Sequence, residues 1–137
     1  GLGWCRRLML VHQLKQAAPQ LPITNYLATR YGYDAAIAEA APPRVAAILR
    51  AFAAQLAAQR ERGRRHLVGD ALSALDIWWA SFAAMIEPLP PELCPMRPDT
   101  RAAYRVRDPI VRDAIDPRLL EHRDFVYREH LELPVRL

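Results

Sequence analysis

A chain of 137 residues, 52% hydrophobic and 25% charged, has the composition of one globular domain able to close a core, which excludes a disordered segment. Arg, Asp or Pro interrupts every apolar run before it reaches the length of a membrane span. The opening Gly1-Leu2-Gly3-Trp4-Cys5-Arg6-Arg7 lacks the basic, apolar, small order of a signal peptide. The net charge of +4 is carried by arginine, Lys15 being the only lysine; these arginines are spread along the chain among acids, which reads as a solvated surface and not as a nucleic-acid face.

Trp4 to about Gln16 has helical spacing, with Trp4, Leu8 and Val11 on one stripe and Leu10 and Leu14 beside it. This helix has no cap of its own and no initiator Met before it, so the chain is expected to be a fragment that begins inside a larger protein. Pro19 and Pro22 break the helix. Asn25 to Tyr31 reads as a short helical turn that offers Tyr26, Leu27 and Tyr31 for packing, with Gly32 as its stop and Asp34 capping Ala35 to Ala40. Pro42 and Pro43 suit a first helical turn. The helix they open places Val45, Ile48, Leu49, Phe52 and Leu56 on one face. Arg44, Arg50, Gln55, Gln59 and Arg60 fall mostly on the wet side, and Gly63 is the stop.

His66-Leu67-Val68 reads as a short extended lead into Gly69-Asp70-Ala71-Leu72-Ser73-Ala74-Leu75-Asp76. Ser73 and Asp76 have capping-box spacing, and Leu72 and Ile77 have the spacing of a hydrophobic staple. The run from Ala74 to Ile86 is apolar nearly all round, which predicts a core helix whose first amides must be satisfied internally. Pro88-Leu89-Pro90-Pro91 ends it, and Cys94 to Pro98 is irregular. Asp99 or Thr100 is placed to cap a short helix through Tyr104 and Val106. Asp108-Pro109 and Asp116-Pro117 are cap-then-proline starts. The second opens a helix with Leu119, Leu120, Arg123, Phe125, Val126 and Tyr127, closed by Pro134. No segment has a strand pattern, so the fold class is all-α.

Few residues argue for chemistry. Cys5 precedes Arg6 and Arg7, which would favour a thiolate, but Cys on an amphipathic helix reads as a small hydrophobe. Cys5 and Cys94 match no metal or redox spacing, and free thiols point to an intracellular protein. His12, His66, His122 and His130 form no ligand pair at one-turn spacing, and His122 and His130 read as solvated, so no metal site is expected. Ser73 and Ser81 read as a cap and a helix hydroxyl, and no catalytic residue is assigned. Asp76 is the acid expected to be buried, with a structural role. Trp4, Arg7, Trp78, Trp79 and Tyr127 are the large or charged groups available to line a cleft.

Gly69, Asp70, Leu72, Ser73, Leu75 and Asp76, joined to the Trp-rich helix after them, resemble the start of the central core helix in the C-terminal, all-helical domain of the glutathione S-transferase family. The order and length of the other segments extend the resemblance over residues 1–137 as one domain. It implies a right-handed helical bundle that forms one wall of an electrophile pocket, with Trp4, Arg7 and Leu8 on the first helix as the substrate-binding candidates. It also implies a homodimer and a cytoplasmic location. In that family a thioredoxin-like N-terminal domain binds glutathione and activates its thiol, and nothing in this chain corresponds to it. Glutathione is therefore expected as co-substrate of a full-length protein, a small electrophile as its other substrate, and no cofactor on this chain alone, which should be inert. The alternative is a non-catalytic helical interaction module of the same fold, as in translation-factor and stress-response relatives. An electrophile pocket would favour the first and a basic groove the second.

Overall fold

The computed structural model describes residues 1–135, so the domain read over residues 1–137 runs two positions beyond them. Its regular elements are all helices: α1 (Leu2–Ala17), α2 (Pro22–Arg30), α3 (Ala35–Glu39), α4 (Ala41–Glu61), α5 (Ala74–Ala83), α6 (Pro98–Tyr104), α7 (Pro109–Arg112) and α8 (Pro117–His130). No strand occurs among the described residues, in agreement with the all-α reading. None of these helices is long and apolar enough to cross a membrane.

The hub is α4, which packs against α1, α3, α7 and α8, while α5 packs against α8. Of the face read from the sequence, Val45, Leu49 and Leu56 of α4 are fully buried and Ile48 and Phe52 half-buried, while Ala46 and Ala53 join the buried side. They meet Leu2, Cys5 and Met9 of α1, Trp79 and Ala83 of α5, and Leu119 of α8 in one core. Trp79 is fully buried, and its indole N–H donates to the Leu119 carbonyl at 2.9 Å, which satisfies the one polar atom that burial would otherwise strand.

Prolines at the first turns of α2, α4, α6, α7 and α8 set the helix starts, where a missing N–H costs nothing. Asp34, Asp108 and Asp116 accept from backbone amides of the helices they precede. At the end of α4 the chain turns through Gly63, whose φ of 72° lies in the left-handed region open to glycine.

Several expectations need correction. The N-cap of α6 is Arg97, with Pro98 inside the helix, so neither Asp99 nor Thr100 caps it; Asp99 instead holds the Thr100 amide and the Arg97 guanidinium. Residues 66–68 form bends and not an extended lead. α5 stops at Ala83, and it is not buried all round: Asp76, Trp79, Ala80 and Ala83 face the core, whereas Ala74, Ile77 and Ser81 are exposed. The staple pair is likewise wet, with Leu72 37% and Ile77 39% exposed. Gln59 is buried, not on the wet side, because its amide donates to the His66 and Gly69 carbonyls and so binds the connection after α4 to the helix.

Candidate functional site

The capping network at the start of α5 is built around the buried Asp76 carboxylate. Ser73 caps α5, and both halves of the capping box form, the Ser73 hydroxyl receiving the Asp76 amide and the Asp76 carboxylate receiving the Ser73 amide at 2.9 Å. The fold adds two donors that residue spacing did not supply. The Leu67 amide donates to Asp76 Oδ1 at 2.8 Å, and Nε2 of buried His122 reaches the same oxygen at 2.8 Å. Burial by itself pushes the Asp76 carboxyl up. The Leu67 amide, the Ser73 hydroxyl and amide, and His122 together outweigh it and hold the group below the usual carboxylate range. Burial also pulls His122 below its ordinary value, against the opposing pull of Asp76, so the imidazole is neutral and donates from Nε2. His122, expected to be solvated, is instead the link between α5 and α8.

A cleft of about 320 Å³ opens between α1, α5, α6 and α8. Arg7, Phe82, Met85, Leu89, Tyr104 and Tyr127 are among its lining residues, as are Cys94, Arg123 and Val135. Each wall is held by polar ties. Arg6, buried in α1, donates from Nε to the Met85 carbonyl at 2.6 Å and from Nη2 to the Tyr104 carbonyl at 3.2 Å. Its burial, opposed by Asp108, lowers the guanidinium pKa to about 10, so it stays charged at neutral pH. Arg101 donates to the carbonyls of Leu89 and Cys94 and so fixes the proline-rich connection. Buried Arg123 spans the Glu87 carbonyl and the Asp124 carboxylate. The Val135 amide donates to the Leu93 carbonyl at 2.7 Å and brings the tail over the cleft.

The Arg7 guanidinium stands 5.5 Å from the Phe82 ring centroid and 5.6 Å from that of Tyr31, a cation held by ring faces. Burial raises the Tyr127 phenol above its ordinary value, with Cys94 beside it adding to the rise and Arg123 opposing it. The phenol is therefore a neutral donor at physiological pH. What the cleft offers chemically is a mainly apolar, aromatic surface with two guanidiniums, Arg7 and Arg123, and two phenols, Tyr104 and Tyr127, suited to hold a small apolar molecule. Neither cysteine is placed as a nucleophile: Cys5 and Cys94 are free and buried.

Of the three substrate-binding candidates, Arg7 alone lines this cleft. Trp4, one turn before Arg7, is 48% exposed and stands edge-on to Tyr31 with ring centroids 6.1 Å apart, outside the cleft lining. Leu8 is buried, and it borders a separate depression with Trp4, Ile37 and Arg44. Helical periodicity separates the adjacent positions Arg7 and Leu8, whereas Trp4 shares the Tyr31 ring with Arg7. Among the other groups named for a cleft, Tyr127 lines it and Trp79 is core. Phe82, Met85 and Tyr104 were missed, and the clue available was the three-residue spacing of Phe82 and Met85 at the end of the apolar run. His66 and His130, far apart in sequence, come within 3.5 Å through their Nε2 atoms, but among the described residues no cluster of three or more His, Cys, Asp or Glu is placed to hold a metal ion. No family model, curated protein or solved structure matches the chain.

Proposed function

We propose that this chain is the C-terminal helical domain of a glutathione S-transferase-like protein and forms one wall of its electrophile pocket. The observation that carries the reading is the mainly apolar cleft between the first helix and the C-terminal segment. These are the two parts of such a domain that the resemblance assigns to the pocket. The capping box of Ser73 and Asp76 at the start of α5 supports the same kinship. On this reading Arg7 and Tyr127 orient the electrophile, Phe82 and Met85 supply its apolar contact, and a thioredoxin-like domain brings glutathione and activates its thiol. The reading includes a homodimer and a cytoplasmic location, in keeping with two free cysteines. A non-catalytic interaction module of the same fold is the second reading, favoured by a basic pocket between α4 and α8.

The test is binding without turnover. The chain should bind chlorodinitrobenzene, read by quenching of tryptophan fluorescence, and Arg7→Ala and Tyr127→Phe should weaken that binding. With glutathione added, the chain should not exceed the uncatalysed conjugation rate. Conjugation by the chain alone would contradict the assignment of thiol activation to another domain. Binding that both variants leave unchanged would remove the cleft from the reading.

A further inference from the structure

Not all of the eighteen arginines stay dispersed in the fold: four gather at one pocket. Arg60 from the last turn of α4, Arg64 and Arg65 just past Gly63, and Arg128 from the last turn of α8 enclose a pocket of about 250 Å³ with Phe125 and His122. No carboxylate lines it. We propose that this pocket binds the phosphoryl group of a small soluble organophosphate.

Three of the four guanidiniums have carboxylate partners outside the pocket: Arg64 with Asp70 at 2.6 Å, Arg60 with Glu121 at 3.5 Å and Arg128 with Glu129 at 3.1 Å. All six of these side chains are 38% exposed or more, and such pairs are weak and easily exchanged in water. Arg65 enters none of the ion pairs found among the described residues; it lies over the Phe125 ring, 4.2 Å from the centroid.

Complementing the helix ends accounts for Arg60 and Arg128, each in a last turn. It does not account for Arg64 and Arg65, which lie beyond α4. Two helix ends contribute about half a negative charge each, against four guanidiniums in the pocket. Guanidinium forks match phosphate oxygens in pairs, so a phosphoryl group satisfies several at once where separate carboxylates satisfy one each. The floor is firm, because His122 is tied to Asp76 and the Phe125 ring packs against His66 and His122. His122, Phe125 and Arg128 lie on a different side of α8 from Arg123 and Tyr127, so this site is separate from the apolar cleft. A pocket of this size, closed at its floor, takes a phosphoryl group and not a nucleic-acid strand.

The test is calorimetric titration of the full chain with inorganic pyrophosphate at constant ionic strength, with chloride and sulfate as controls. One pyrophosphate should bind per chain, and Arg64→Ala or Arg65→Ala should each weaken binding by about tenfold, the size of one lost charge-assisted bond. Arg112→Ala, a surface arginine outside the pocket, should leave it unchanged. Thermal melts without ligand confirm that the variants fold, and Arg65→Lys provides a milder change that keeps the charge. Equal binding by wild type and Arg65→Ala, or no binding by folded wild type, overturns the proposal. A short single-stranded RNA that binds where pyrophosphate does not also overturns it, in favour of a polymer surface.

Discussion

The Asp76 carboxylate accepts from two amides, a hydroxyl and an imidazole with no water to replace any of them. Asp76→Ala therefore removes a cap, at about 0.5–2 kcal/mol. It also leaves buried donors unpaired, adding about 1–3 kcal/mol for each group that cannot relax. Against a usual domain stability of about 5–15 kcal/mol this is a large share, and the urea midpoint should fall accordingly. Asp76→Asn should cost less, because its amide oxygen still accepts. A wild-type midpoint for Asp76→Ala would overturn the structural role. The same pair sets a pH dependence. His122 has its folded pKa below the ordinary 6.5, so the unfolded chain takes up a proton that the folded chain resists. Stability from this group is complete above that value and is lost as pH falls below it. Asp76, depressed from 3.8, gives up its contribution only in stronger acid. Thermal melts should show wild type losing stability as pH falls below the ordinary histidine value of 6.5, with a flatter profile for His122→Gln. Parallel profiles would place the titration elsewhere.

At the scale of elements, the approach of α1 to α5 depends on Gly3. A Cβ there would overlap the Phe82 ring. The ring is packed on Trp78 at 4.7 Å between centroids and covered by Arg7, so it can give way only toward the cleft it lines, at the expense of both contacts. In a free helix Gly→Ala stabilises by about 1 kcal/mol. Here the overlap should reverse the sign, to a loss of about 1–3 kcal/mol typical of overpacking. Gly3→Ala should lower the melting temperature and alter tryptophan fluorescence, and Phe82→Leu in the same chain should recover part of the loss. An unchanged or raised melting temperature would show that the helices separate freely at this point.

For the whole molecule, the row Leu8-Met9-Leu10-Val11 suggests a helix with apolar surface to spare, yet the fold buries Leu8, Met9 and Val11 within this chain. Exposed apolar groups lie elsewhere, and two of them, Trp4 and Ile37, 48% and 57% exposed, border one depression. Exposed aromatic and aliphatic groups around a concavity favour association. Sedimentation should show the chain self-associating, and Trp4→Gln with Ile37→Gln should reduce it. A monomer at high concentration would contradict both this expectation and the homodimer in the proposed function.

Local rules were enough to determine the helical class, the proline-marked starts of α4, α7 and α8, the burial of Val45, Leu49 and Leu56 on α4, and the Ser73–Asp76 box, because each depends on residues within a turn or two of one another. The cleft depends on contacts between distant segments, such as Arg6 with Met85 and Tyr104, or Val135 with Leu93, and periodicity contains no such information. The same holds for His122, which looks solvated along α8 until α5 brings Asp76 to it. Charge patterning likewise counts arginines along a line. Only the packing of α4 on α8, with the turn at Gly63, decides that four of them share one pocket.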